Sequence, residues 1–253
     1  MGRIEQNTDM ANVADTAVVT GSSSGIGLAL SRMLVKNGYE VFGFGRNFER
    51  AEAQEFCKEQ PEKFHAVVCD ITDTQALCAH IKEIDKNYRV TVLVNNAGVG
   101  YYGLHEELNP KKIQKMVRTN LEAPMILTQQ LLRTLKKNRG TVLNISSVTA
   151  TQSNPHGCAY GATKAGLSGF AKSLFDEVRK YGVRVITIQP DMAKTDLYRN
   201  ADFCEGEEEA SYLLPEEVAE AAAFALAQRG AGSDGNHSKA AVPQDTEKIS
   251  RKS

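Results

Sequence analysis

Tryptophan is absent from this chain, and cysteine is scarce and scattered. The five cysteines, Cys57, Cys69, Cys78, Cys158 and Cys204, are odd in number and lack paired spacing. Reduced, mostly structural thiols are therefore expected, not a disulfide scaffold, with Cys158, two positions before Tyr160, read as inert packing ahead of an oxidation-sensitive thiol. The five histidines show no ligand spacing, so no catalytic metal is indicated. No apolar stretch reaches the ~18 residues of a membrane helix, and the polar N-terminus has no signal-peptide pattern, which makes cytoplasmic location the expectation. Neither sign of charge dominates: 30 basic residues face 31 acidic ones, for a net charge of −1. That leaves no large field to attract nucleic acid or a membrane surface.

What is present suits one α/β domain: 253 residues, of which 42% are hydrophobic. Strand-like runs recur at 17–20, 41–44, 64–69, 90–94, 142–145 and 183–188. Helical stretches separate them, as a doubly wound parallel sheet with helices on both faces requires. The expected organisation is a flexible flank over 1–12, a single domain over 13–229 with a substrate loop at 191–214, and a polar flexible tail over 230–253. Acid clusters at 205–209, most simply as a solvated loop.

After the first β-branched run comes Gly21-Ser22-Ser23-Ser24-Gly25-Ile26-Gly27, and then the helix-patterned 28–35, which closes at Asn37-Gly38. Strand, glycine turn and helix in that order are the context of a dinucleotide cradle. Gly21 turns tightly, Gly25 lets the backbone approach a pyrophosphate, and Gly27 lets the helix pack closely on the strand. Ser23, Ser24 and Ile26 fill out the loop, whose free N–H groups face the phosphates. The plain alternative is a glycine-rich turn entering an ordinary α/β domain.

An NAD site places Asp or Glu about 20 residues past the glycine loop, to accept from the ribose 2′-OH. Here Gly45 and Arg46 stand there. A guanidinium grips a 2′-phosphate in bidentate fashion, which favours NADP(H) over NAD(H). Arg50 follows. Glu49 is the only nearby acid that argues for NAD, and it reads as part of the solvated face of the next helix.

Tyr160 and Lys164 are four residues apart, a spacing that puts them on one helix face. A phenol ordinarily releases its proton near pH ~10, and an ammonium fixed beside it favours the phenolate. The pair is thus a candidate acid/base, although two such side chains also occur on plain helix surfaces. A second inference comes from Pro124, inside the helix-patterned stretch 112–138. Proline cannot donate to the carbonyl four residues back, so a locally opened helix is predicted, with the Asn120 carbonyl free to hold a water or to turn to solvent.

These residues, with Cys69-Asp70-Ile71, Asn95-Asn96-Ala97-Gly98, and Ser147 placed 13 positions before Tyr160, resemble the short-chain dehydrogenase/reductase superfamily. The likeness is to its short single-domain branch, with a Rossmann-like sheet of six to seven strands, and it runs from about Val13 to Gln228. The resemblance implies Tyr160 as general acid/base and Lys164 as the residue that lowers its pKa and holds the nicotinamide ribose. It implies Ser147 as donor to the substrate oxygen and Asn120 as anchor of a water in a proton relay. Asp70 and Ile71 would contact adenine, Asn96 and Gly98 would lie along the cofactor, and Pro190, Met192 and Thr195 would meet the nicotinamide end. The implied activity is NADP(H)-dependent interconversion of a carbonyl and a secondary alcohol. The alternatives left open are NAD-linked oxidation and a catalytically weak dinucleotide-binding regulatory or scaffold protein.

Two departures stand out. Pro190-Asp191 replaces the family's usual Pro-Gly, and Asp enters left-handed backbone less easily than Gly. The polar tail lacks the apolar content of a seventh strand. A homodimer through the helices bearing Asn120 and Tyr160 is expected. Tyr101, Tyr102, Leu104, Met192, Tyr198, Phe203 and Tyr212 are candidate linings for a moderately hydrophobic small-molecule carbonyl or alcohol substrate.

Overall fold

The computed structural model describes residues 14–198 and 211–228. The flank 1–12, Phe203, Cys204, the acid cluster 205–209 and the tail, with the question of a seventh strand, lie outside the described residues, as does the Tyr198 side chain. Six strands form one sheet: β1 (Thr16–Thr20), β2 (Glu40–Gly45), β3 (Phe64–Val68), β4 (Val90–Asn95), β5 (Thr141–Ile145) and β6 (Arg184–Ile188). All pairings are parallel, in the order β3-β2-β1-β4-β5-β6. Each expected strand is present within a residue or two of its expected ends.

Parallel strands need crossovers, and here helices supply them. They are α1 (Gly25–Lys36), α2 (Ala51–Glu59), α3 (Thr74–Asn87), α4 (Pro110–Val117), α5 (Ala123–Asn138) and α6 (Cys158–Val178), while α7 (Pro215–Ala227) follows β6. Local chemistry sets their starts. The Asp73 side chain accepts from Ala76 N at the head of α3, and Asn109 accepts from Lys111 N just before Pro110 opens α4. Residues on the two faces of each strand feed two cores. Leu30 and Leu34 of α1, Phe56 of α2 and Ala222 of α7 cover one face of the sheet. Leu77 and Ile81 of α3, Leu127 and Leu131 of α5 and Val178 of α6 cover the other.

The strand order reverses at β1, which pairs with β2 on one side and β4 on the other. Crossovers on opposite faces leave a crevice there, at the carboxyl ends of the strands, where such sheets bind ligands.

Candidate active site

The crevice holds a cavity of about 370 Å³. Its floor is the glycine turn. Gly21 and Gly25 have φ of 74° and 51°, values that favour glycine. Gly27 is required by contact instead: a Cβ there would stand 2.0 Å from the Gly21 carbonyl oxygen and 2.5 Å from Asn96 Nδ2. Ser24 precedes α1 without a side-chain cap, so the first-turn N–H groups are left to a ligand. Gly21, Ser23, Ser24, Gly25, Ile26 and Gly27 all line the cavity. Uncapped donors and a backbone stripped of Cβ atoms fit a pyrophosphate.

Ser22, which sequence reasoning passed over, sets this turn in place. Its hydroxyl donates to Val19 O at 3.0 Å and accepts from Ser31 Oγ at 3.1 Å. Thr20 joins the two lips of the crevice. Its hydroxyl oxygen accepts from the N–H groups of Asn96 and Ala97, each at 3.0 Å, while Asn96 Nδ2 donates to Thr20 O at 2.8 Å. Asn96 and Gly98 line the cavity beyond this junction.

At one end, Arg46 stands exposed beside Asp70 and Ile71, all three lining the cavity. Burial pushes the Asp70 carboxyl up. Hydrogen bonds from the Thr72 N–H and hydroxyl, with Lys115 and Arg46 nearby, outweigh it and hold the group below the usual carboxylate range. Glu49 is exposed and precedes α2.

At the other end, α6 brings Tyr160 and Lys164 against β5. Both are buried, and Lys164 Nζ lies 5.8 Å from the centre of the Tyr160 ring. Lys164 is pinned twice to the strand end: Nζ donates to Ile145 O at 2.8 Å, and Ser146 Oγ donates to Lys164 O at 3.1 Å. Ser146 also meets Ser168 Oγ at 2.9 Å, a polar seam that the sequence did not announce. Burial lowers the Lys164 pKa to about 8. Ser147 accepts at Oγ from the N–H and the hydroxyl of Thr149, which leaves its own proton for an oxygen in the cavity. The Tyr102 ring packs 5.6 Å from that of Tyr160.

Pro124 does open its helix. Residues Arg118–Glu122 form a π-type turn between α4 and α5, and Ala123 N reaches back to Arg118 O. Asn120 is fully buried behind the cavity. Its amide donates to Val99 O and Thr163 Oγ1 and accepts from Val99 N. A Cβ at Gly98 would lie 3.6 Å from Asn120 Oδ1 and 3.7 Å from Lys164 Nζ, so both groups border the same backbone.

Met192 is the one member of the expected cofactor set outside the cavity lining. Its N–H is taken by Asp191 Oδ1 at 2.8 Å, and its carbonyl by Leu213 N at 2.8 Å. Asp191 stays out of the left-handed region, and its own side chain caps the next N–H. Cys158 is exposed, not packed, since it opens α6 at the surface. Pro190, Asp191 and Thr195 do line the cavity. Arg50 lines it too, and forms an ion pair with Asp196 across it. Among the described residues no cluster suits a metal ion, and no helix is long and apolar enough to cross a membrane.

A family model described as short chain dehydrogenase matches residues 15–203. The chain is 38% identical over 186 residues to serine 3-dehydrogenase of Agrobacterium fabrum, covering 73% of this chain and 74% of that protein. Its structure is similar to an alcohol dehydrogenase from the archaeon Thermococcus sibiricus complexed with 5-hydroxy-NADP, with TM-score 0.76, 28% identity, and coverage of 85% of this chain and 92% of that one. It is also similar to a 3-ketoacyl-(acyl-carrier-protein) reductase from Brucella melitensis complexed with NADH, with TM-score 0.75, 28% identity, and coverage of 84% and 90%. With a family model matched over most of its length and a relative of 38% identity, the chain belongs to the short-chain dehydrogenase family and is an NAD(P)-dependent oxidoreductase of CH–OH and C=O groups.

Proposed function

We propose that the protein interconverts a small, moderately hydrophobic ketone and its secondary alcohol, with NADP(H) as the preferred cofactor and Tyr160 as the general acid/base. The observation that carries this reading is the fixed lysine: Lys164 Nζ, bonded to Ile145 O and 5.8 Å from the Tyr160 ring centre, in a cavity continuous with the glycine turn. When bound, the nicotinamide supplies or accepts the hydride. The chain's own residues handle the oxygen. Ser147 donates its free proton to the substrate oxygen, where negative charge develops during reduction. Tyr160 then gives its phenolic proton to that oxygen, and takes it back in oxidation. Lys164, two of its three N–H donors still unspent, steadies the phenolate by charge and holds the ribose hydroxyls. Asn120 keeps its side chain for Val99 and Thr163. Its main-chain oxygen, which Pro124 cannot satisfy, is the proposed anchor for the water that returns the proton to solvent.

The preference for NADP(H) rests on Arg46 at the end of β2, because relatives of this family are seen with either cofactor. Tyr101 lines the substrate end and Tyr102 packs on Tyr160, which supports an apolar substrate body. The proposed assembly is a homodimer through the α4–α6 side, where Val117 and Met125 stand exposed. The test is NADPH consumption over ketones, 3-oxoacyl thioesters, steroids and sugars, with Tyr160→Phe as control. Loss of general acid/base catalysis should lower turnover about 10²–10⁴-fold. Unchanged turnover in that variant removes the mechanism.

A further inference from the structure

Arg50 and Asp196 are 146 positions apart, yet their side chains meet as an ion pair. Arg50 immediately precedes α2 on the β2 side of the crevice, and Asp196 belongs to the segment that follows β6. Both line the same cavity as the glycine turn. The Asp196 segment lies directly over that turn: a Cβ on Gly25 would stand 3.0 Å from Thr195 Cγ2. The segment is itself held, since Lys194 N donates to Leu213 O and Leu213 N to Met192 O, each at 2.8 Å. The pair therefore joins two walls of the cavity that the uncapped start of α1 also borders.

We propose that Arg50 and Asp196 form a strap over the phosphates of the bound dinucleotide, with Asp196 positioning the guanidinium and the pair slowing cofactor release. The inference rests on the dinucleotide reading of the cleft. Arginine has five N–H donors in a planar fork, and the contact with Asp196 uses the Nη2 end. The remaining donors are available to a phosphate beneath. Each side chain is about half exposed, and ion pairs of that kind are weak and screened by salt. A weak strap suits a cofactor that must leave after each turnover: it slows escape without sealing the site.

Equilibrium dialysis of the full chain with NADPH comes first, and absence of binding would remove the dinucleotide reading and the strap with it. Stopped-flow release of NADPH into excess NADP then compares the wild type with Asp196→Asn, Arg50→Gln and the double variant. Asp196→Asn should speed release about two- to fivefold, the scale of a half-exposed ion pair. In the Arg50→Gln background the same change should have no further effect. Melting temperatures are read alongside, and a merely structural role would move those and not the coupling in release rate. Binding with unchanged release in Asp196→Asn, or an equal acceleration when Arg50 is absent, overturns the strap and leaves the dinucleotide reading standing.

Discussion

Replacing Lys164 with methionine should abolish activity and yet stabilise the protein at neutral pH. The side chain is 4% exposed, and burial lowers its pKa from 10.5 to about 8. That displacement corresponds to a cost on the order of 3 kcal/mol for keeping the amine charged in the fold at pH 7. Methionine fills a similar volume without charge, but it leaves the Ile145 carbonyl without the Lys164 donor, at a cost of about 1–3 kcal/mol. The net gain should be about 1 kcal/mol, or about 2–4 °C in melting temperature for a domain of this size. The dependence on pH sharpens the test. Because the folded-state pKa lies below the unfolded one, the unfolded chain binds more protons between about pH 8 and 10.5. Wild-type stability should therefore rise through that window relative to Lys164→Met, by on the order of 1 kcal/mol at pH 9. Urea denaturation of both proteins at pH 7 and pH 9 measures the difference. A gap that is the same at both pH values, or a variant clearly less stable at pH 7, would refute the account of Lys164 as a charge held in the fold at a loss.

Two glycines should respond in opposite ways. Gly27→Ala drives a Cβ into the Gly21 carbonyl and should cost at least about 1–3 kcal/mol in thermal or urea unfolding. Gly98→Ala meets only ordinary contacts at 3.6 Å and beyond, so it should spare stability while weakening dinucleotide binding in calorimetry. Arg46→Gln should weaken NADPH binding about 10–100-fold, the worth of a charge-assisted bond, and leave NADH binding nearly unchanged. Equal affinity of the wild type for both cofactors would remove the role of Arg46.

What the sequence shows clearly is what neighbouring residues decide. β-branched runs bounded by turns mark the six strands, since each needs only its own alternation and length. Gly21 and Gly25 announce the cradle because backbone freedom is a property of the residue itself, and Gly27 because it alone brings no Cβ to a crowded contact. Pro124 betrays the opened turn at Asn120 through one missing N–H. The illegible parts depend on partners far along the chain. Nothing local couples Arg50 to Asp196, or Ser146 to Ser168, and only folding brings them together. Met192 sits outside the cavity lining for a related reason. Its neighbours continue a familiar pattern, but its backbone is committed to Asp191 and to Leu213 across an intervening stretch of chain. Cys158 misled because apolar character alone suggests packing, whereas the first residue of a long helix can face outward.

The Thr20–Asn96 junction has a consequence for how such a site changes over time. Three hydrogen bonds tie the tips of β1 and β4 at the bottom of the crack, so the base cannot spread when its occupants come and go. The covering segment, by contrast, hangs from two main-chain bonds between 192–194 and Leu213. Side chains on that cover, Asp196 apart, can be exchanged without loosening the foundation, which lets one frame accept new substrates.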